Sequence, residues 1–339
     1  MATMFMAMGD KAAVALAEEL KREGFEVYFI LANGEEFEIF STLENMLLME
    51  RRVLLLYNPK AGKGRIRRKM DAIEEIFFTA GYTPVPKMLR FGENPFDGLE
   101  GEYERVVICG GDGTINYVVN AMKARGLDYT LAIIPAGTAN DFAGAMGMSA
   151  NPVKAAHQIV DGQVEQIDCG RVNELYFVNI FSFGMFTTTS QHTPENLKQH
   201  IGKAAYIIEG SKELHNREYI PLHIVHDGGE MDINSVITLV FNGETAGRFP
   251  LARNASIRDG LLDLVMMRKC GRLDGLWSAA KYLVNGKDNE EIIHITSSKL
   301  EITSPLSPLT DMDGQPSAEF PLSIECLAAN LKIVTPKRG

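Results

Sequence analysis

Paired cysteines, long apolar runs and an excess of basic residues are all missing from this sequence. Its four cysteines, at positions 109, 169, 270 and 326, form no CxxC pair, which fits neither a zinc site nor a disulfide framework and suits a reducing cytoplasm. Acidic residues outnumber basic ones 44 to 34, and the resulting net charge of -10 argues against broad affinity for nucleic acid. No stretch approaches the ~20 apolar residues that a bilayer-spanning helix requires. The methionine-rich start is broken by Gly9-Asp10-Lys11, with no basic lead and no clear cleavage signal, so any membrane contact is expected to be peripheral. GxxxxGK[ST] is absent, and Ser182 in Phe181-Ser182-Phe183-Gly184 lacks the GxSxG elbow of a serine hydrolase.

What remains is an ordinary globular composition, 45% hydrophobic and 23% charged, which excludes disordered and fibrous classes. At 339 residues two domains are expected, since a domain usually takes roughly 100 to 200. Residues 10–23 set Val14, Ala17 and Leu20 at helical spacing and stop at Gly24, which predicts a helix. Residues 25–31 and 37–40 flank an Asn33-Gly34 turn and read as a hairpin. From Arg52 the pattern changes. Val53-Leu54-Leu55-Leu56-Tyr57 is a continuous apolar run of the kind buried on both faces of a sheet, and Asn58-Pro59 stops it. Met70, Ile73, Ile76 and Phe77 then stripe a helix over 66–80. A strand at 105–109, a loop at 110–114, a helix at 115–125 and a strand at 131–134 repeat the order and predict a mostly parallel sheet. Beyond about Val164, runs at 174–181, 220–226, 234–241, 262–267 and 292–302 predict a β-rich second half. Helical patterns interrupt it near 198–213 and 273–284.

Three loops carry the chemistry. Gly110-Gly111-Asp112-Gly113-Thr114 follows a buried strand and precedes a helix, so its glycines allow a tight turn and let backbone N–H groups approach phosphate oxygens. A lone loop of this kind is as often a plain strand-to-helix turn. Two further segments shift that balance. Asn58-Pro59-Lys60-Ala61-Gly62-Lys63-Gly64 holds the equivalent position one unit earlier and adds cationic donors. Pro135-Ala136-Gly137-Thr138-Ala139-Asn140-Asp141-Phe142 follows the next strand, where open α/β sheets bind ligands beyond the strands' carboxyl ends. Asp112 is placed to hold Mg²⁺ or to orient an attacking hydroxyl; its plainer role is a turn or capping aspartate.

GGDGT at 110–114 together with PAGTANDFA at 135–143 resembles the diacylglycerol kinase catalytic-domain family of bacterial lipid kinases of the diacylglycerol and sphingosine kinase type. NPKAGKG at 58–64, IGKAAY at 201–206, RDGLLD at 258–263 and DMDGQ at 311–315 fall in family order. The resemblance implies an N-terminal α/β nucleotide-binding domain with a mostly parallel sheet, a C-terminal β-sandwich-like domain and an active site in the cleft between them. Residues 49–165 with about 325–339 would form the ATP-binding unit and 166–324 the β-rich acceptor unit, while 1–48 lie outside the resemblance. It implies ATP, Mg²⁺ and a lipid alcohol met at a membrane surface by a cytoplasmic protein, with no role for nucleic acid; a homodimer stays open. Asn58, Pro59, Lys60, Ala61 and Gly62, the loop from Gly110, Gly111, Asp112, Gly113 and Thr114 through Ile115 and Asn116, and Thr138 with Asn140 would surround the nucleotide. Asp259 would hold a structural Mg²⁺ with main-chain oxygens near Ser256 and Leu261; a type I′ hairpin turn at Asp259-Gly260 is the plainer reading.

One departure matters. The family carries DGE near its C-terminus, with the carboxylate placed to take the lipid hydroxyl's proton, and this chain has Asp313-Gly314-Gln315. Gln315 cannot act as a general base near neutral pH, which leaves Asp112 and Asp313 as candidate carboxylates and opens the alternative of a non-catalytic nucleotide-binding relative. NAD kinases share the GGDGT loop, but the GTAND segment favours a lipid acceptor. Lys60, Lys63, Arg65, Arg67, Arg68 and Lys69 form a basic run that suits phosphates, an anionic membrane or simply a solvated face. Phe181, Phe183, Met185 and Phe186 would line an acyl cavity or pack a core.

Overall fold

The computed structural model describes residues 3–7, 22, 26–33, 36–40, 51–99, 101–184, 219–243, 245–246, 249–250, 252, 255–270, 278 and 289–337. The helical patterns at 10–23, 198–213 and 273–284, the IGKAAY segment, Met185 and Phe186 lie outside the described residues, Arg22 and Ser278 apart. A small sheet precedes the main body. Its strand β1 (Thr3–Ala7) runs parallel to β2 (Glu26–Asn33). β2 folds back antiparallel on β3 (Glu36–Phe40) with Asn33 opposite Glu36. The hairpin therefore exists, with Asn33 and Glu36 as its last described pair.

The α/β half is a parallel sheet of β4 (Arg52–Tyr57), β5 (Thr83–Met88), β6 (Arg105–Gly110) and β7 (Thr130–Pro135), in the spatial order β7-β6-β4-β5. All three neighbouring pairs are parallel. The interior residues Val53, Leu54, Leu55 and Leu56 of β4 and Val106, Val107, Ile108 and Cys109 of β6 are fully buried, as helix-covered strands require. β5 carries Pro84 and Pro86 and sits on the edge, where two missing N–H donors are tolerated. Strand order reverses between β4 and β6, and at that point a doubly wound sheet opens a crevice for ligands.

Helices α1 (Ala61–Gly64) and α2 (Met70–Thr79) connect β4 to β5. The expected single helix over 66–80 begins instead as a 3₁₀ turn at Arg67–Lys69, a common way for an α-helix to start. Helix α3 (Asp112–Lys123) starts three residues earlier than its apolar pattern predicts. Gly111 alone separates β6 from α3, and the amides of Thr114 and Ile115 both bond to its carbonyl. Helices α4 (Asp141–Ala145) and α5 (Pro152–Val160) follow β7; Asn151 caps α5 by accepting from Val153 N and Lys154 N.

The second half is antiparallel. β8 (Gln163–Val172), β9 (Leu175–Phe177) and β10 (Ile180–Gly184) lead into β11 (Ile220–His226), β12 (Gly229–Phe241) and the two-residue β13 (Thr245–Ala246) and β14 (Phe249–Pro250). β15 (Leu262–Arg268), β16 (Ile292–Ser297), β17 (Lys299–Thr303), β18 (Thr310–Met312), β19 (Gln315–Pro316) and β20 (Leu322–Thr335) complete it. Two expected single strands are each broken in two. The run at 292–302 divides at Ser298 because β16 pairs with β15 whereas β17 pairs with β11 and β20. The run at 174–181 divides at Val178-Asn179, whose amides leave the ladder for the carboxylate of Asp313.

The two halves share backbone. β20 pairs with β17, then adds to the α/β sheet parallel to β7 at Lys332–Ile333, and lies antiparallel to β8 along nearly its whole length. Each half nonetheless has its own apolar core, one around β4, β6 and β7 and one around Phe177, Phe181, Phe183, Leu264 and Ile302. Phe181 and Phe183 are fully buried and their rings lie 6.1 Å apart, so both serve as core.

Candidate active site

The three loops at the carboxyl ends of β4, β6 and β7 meet by backbone contact. A Cβ on Gly111 would lie 2.8 Å from the Cα of Gly137, and one on Gly137 would lie 2.6 Å from the Cα of Gly111, so neither position accepts a side chain. Ala136 N donates to Gly110 O at 2.8 Å and Asn58 N to Cys109 O at 3.1 Å. Gly62 sits at φ +58°, which favours glycine, and a Cβ there would lie a tight 3.2 Å from the carbonyl oxygen of Ala136. Asn58 accepts from Lys60 N through its Oδ1 (3.0 Å) and donates through Nδ2 to Thr114 Oγ1 (3.4 Å). Pro59 and Ala61 complete this turn, with Ala61 N on Asn58 O at 3.0 Å.

Helix α3 aims its first turn at this crevice. The amides of Asp112 and Gly113 have no acceptor within the helix, which makes them donors for anionic oxygens, and the helix dipole adds partial positive charge there. The basic run contributes from the other side. Arg65 Nε lies 3.4 Å from where a Cβ on Gly62 would be, and Arg68 Nη1 lies 3.6 Å from the same point on Gly64. Lys60, Arg65, Arg67, Arg68 and Lys69 are exposed.

Asp112 ties the loops together. Its Oδ1 accepts from Phe142 N at 3.1 Å and its Oδ2 from Asp141 N at 3.3 Å, at the start of α4; Asn179 Nδ2 donates to Oδ1 at 3.4 Å. These bonds are long, and Asp112 stays half-buried at the crevice. Asn140, at φ 55°, folds its amide back on Gly137, accepting from N at 2.7 Å and donating to O at 3.0 Å. Its side chain thus shapes the loop, while Thr138 stands exposed at the tip. Ile115 is buried in the α/β core, and Asn116 turns its amide toward the second half.

Asp313 occupies a different environment. With φ 50° followed by 88° at Gly314, it forms the two-residue turn between β18 and β19, in which Met312 pairs with Gln315. Both central residues at positive φ define a type I′ turn. The Asp313 carboxylate is buried and accepts from Val178 N (2.9 Å), Asn179 N (3.0 Å), Ile180 N (2.9 Å) and Asn116 Nδ2 (2.9 Å). Burial pushes its pKa up to about 6 against the pull of these four donors. Its two oxygens thus already serve four donors, which braces the turn. The turn it starts delivers Gln315, exposed, with Nε2 3.4 Å from where a Cβ on Gly113 would be. Gln315 therefore faces the glycine loop that opens α3.

Asp259, Ser256 and Leu261 lie in one turn before β15. Leu261 N donates to Asp259 Oδ1 at 3.1 Å, and Arg258 N to Ser256 Oγ at 3.2 Å. β15 pairs with β12 on one side and β16 on the other, so Asp259-Gly260 does not close a two-strand hairpin. Burial, followed by the charges of Asp263 and Asp168, raises the pKa of Asp259; a cation would relieve that repulsion. Among the described residues no three acidic, histidine or cysteine side chains converge on a metal position, so a cation here would need main-chain oxygens. Asp168, missed by the sequence reading, is buried and accepts from Gly260 N and Ala329 N, both at 2.8 Å. Asn120 was also missed; its signal was a second asparagine one helical turn after Asn116, on the same face of α3.

Residues 52–172 match the diacylglycerol kinase catalytic domain, and 179–335 match the YegS C-terminal NAD kinase beta sandwich-like domain. A diacylglycerol kinase of Staphylococcus epidermidis is 29% identical over 300 residues, covering 85% of this chain and 93% of that one. That of Bacillus subtilis is 29% identical over 294 residues, covering 85% and 97%. The crystal structure of a provisionally assigned diacylglycerol kinase from Bacillus anthracis strain Sterne superposes with a TM-score of 0.71 at 26% identity. That match covers 84% of this chain and 95% of the other. The loops, the two-half architecture and these matches define a kinase of the two-domain, GGDGT-loop class. Within it, the chain belongs to the diacylglycerol kinase family. Membership implies ATP as the phosphoryl donor, and among the described residues no helix is long and apolar enough to cross a membrane.

Proposed function

We propose that the protein transfers the γ-phosphate of ATP to the hydroxyl of a lipid alcohol, with diacylglycerol as the acceptor and phosphatidic acid as the product. The observation that carries this reading is the convergence of the Gly111–Gly137 loop pair with Gln315, which brings a residue of the β-rich half against a phosphate-binding helix start. The amides of Asp112 and Gly113, with Arg65 and Arg68, would hold the phosphates. A divalent cation, Mg²⁺ in this reading, would neutralise charge between the phosphates and Asp112. Phosphoryl transfer needs positioning and charge stabilisation more than a strong base. An amide at 315 can orient the attacking hydroxyl, and Asp112 is the carboxylate left with weak enough partners to receive its proton. The acceptor would be met at a membrane surface by peripheral contact.

Gln315 also supports a second reading, a nucleotide-binding relative without transfer activity. The test is incubation with labelled ATP and Mg²⁺ against diacylglycerol, monoacylglycerol and sphingoid bases in mixed micelles, with NAD as an alternative acceptor and Asp112→Asn as control. Label in one lipid, lost in the variant, supports the kinase. Tight ATP binding with no labelled lipid and no labelled NAD replaces it with the second reading.

A further inference from the structure

Asn120 makes an unusual contact across the boundary between the halves. Tyr176 N donates to its Oδ1 at 2.9 Å, and its Nδ2 donates back to Tyr176 O at 2.8 Å. One side chain thus supplies the paired bonds that a neighbouring strand would supply. β9, to which Tyr176 belongs, pairs on its other side with β8. One turn earlier on the same helix, Asn116 Nδ2 donates to the same Tyr176 carbonyl and to Asp313 Oδ2, each at 2.9 Å. Asn120 Nδ2 also reaches Asn116 Oδ1 at 3.2 Å. Immediately after Tyr176 and Phe177, three consecutive amides converge on Asp313.

The connection is continuous. Helix α3, whose first turn faces the crevice, holds the backbone at 176; that segment holds Asp313; and Asp313 begins the turn that sets Gln315 over Gly113. Both asparagines sit on buried or half-buried surface. Their bonds therefore compete little with water, and an orphaned partner would be costly.

We propose that Asn120 and Asn116 are positioning residues, a side-chain latch that fixes the Asp313 turn, and with it the acceptor half, in line with the phosphate-binding end of α3. The proposal rests on the kinase reading for its consequence in transfer, but the latch itself has a separate readout. In-line transfer is steep in geometry, and a misplacement of about 1 Å costs on the order of 10²-fold in rate. The glycine loops that would hold ATP in this reading all belong to the α/β half, so the latch is expected to act on the chemical step rather than on nucleotide binding.

The test uses the full chain with Asn120→Ala and the milder Asn120→Ser, which keeps one hydroxyl for Tyr176. Calorimetry should give ATP affinity within about twofold of the parent, while kcat for transfer falls roughly 10- to 100-fold in the alanine variant, in proportion to the geometric cost above, and less in the serine variant. Hydrogen exchange of a peptide covering 175–180 should quicken in both. An Asn120→Ala protein, or Asn120→Ser where the first does not fold, with unchanged kcat or with ATP affinity lost in step with kcat overturns the positioning role. Unchanged exchange at 175–180 overturns the latch. If the parent protein labels no acceptor, the kinase reading fails while the exchange measurement still decides the latch.

Discussion

Two kinds of joint bring this site together. Within the α/β half the loops meet glycine to glycine, Gly111 on Gly137, with no side chain between them. Between the halves the joint is polar: a buried carboxylate that gathers three amides of its own half also takes Asn116 from α3, and two asparagines grip a strand. A backbone contact offers no adjustable atoms, so a substitution there meets an immovable wall. A hydrogen-bonded joint can be weakened one bond at a time, which makes its contribution measurable by graded variants.

The largest expected effect comes from breaking the first joint. Gly137→Ala places a methyl group 2.6 Å from the Gly111 backbone, and overpacking of this kind costs about 1–3 kcal/mol. The loops must separate, so ATP binding by calorimetry should fall below detection, even in protein whose circular dichroism shows a folded chain. Gly111→Ala should behave alike. Gly144→Ala, where an added Cβ meets nothing within 4 Å and φ is ordinary, is the control that should keep full affinity.

Breaking the second joint at Asp313 ranks next. Asp313→Asn replaces one accepting oxygen by an NH₂ group that faces backbone donors, with an expected loss of about 3 kcal/mol in urea unfolding. Its pH dependence separates the charge from the bonds. The folded pKa of Asp313 is raised to about 6 from 3.8, so the folded state binds the proton more tightly than the unfolded one. The group's favourable contribution is therefore present below about pH 4 and is lost as pH rises through about 6. The stability gap between parent and Asp313→Asn should accordingly be widest at low pH and narrow toward neutrality. A gap that widens on going to neutral pH would mean that the four donors outweigh burial.

The same contrast explains what could be read from the chain. GGDGT, NPKAGKG and GTAND are local: each loop directly follows its own strand, and glycine spacing marks it. The α/β half was legible for that reason, down to the buried run at 53–56. Asp313 reaches partners 133 to 197 residues away, and no local pattern announces that a turn aspartate will draw the amides of Val178, Asn179 and Ile180 out of a strand. The expected single strand at 174–181 failed at the point where this distant carboxylate intervenes. Nor could the four donors on Asp313 be foreseen, because sequence shows a carboxylate's identity and not how many donors it already serves. Pro84 and Pro86 hid β5, which is tolerated only because it lies on the edge.

A smaller effect sharpens the role of position 315. Gln315→Glu restores a carboxylate facing Gly113 without touching either joint, since Gln315 is exposed. A positioned general base contributes typically 10²–10⁴-fold where proton transfer limits the rate, and less where the transition state is loose. Transfer should rise by about tenfold with little change in ATP affinity, and the acidic limb of the pH–rate profile should move as a second carboxylate joins Asp112. A flat response would mean that the hydroxyl's proton leaves by way of Asp112.

The smallest expected effect lies at Asp259, far in sequence from the phosphate loops. Its carboxyl is raised first by burial and then by Asp263 and Asp168, so it is protonated more readily than a free aspartate, and a bound divalent cation would reverse that direction. Thermal melts with and without Mg²⁺ should show the parent rising by a few degrees at neutral pH and losing that gain on acidification, as protons displace the ion. Asp259→Asn should melt at the same temperature with or without Mg²⁺. Because Asp168 ties this turn to the β20 bulge at Ala329 through Gly260 N and Ala329 N, the Mg²⁺ response should survive Asn120→Ala, which loosens the boundary at 176 and leaves this turn intact. Loss of the response in both variants would show that the two connections between the halves move as one.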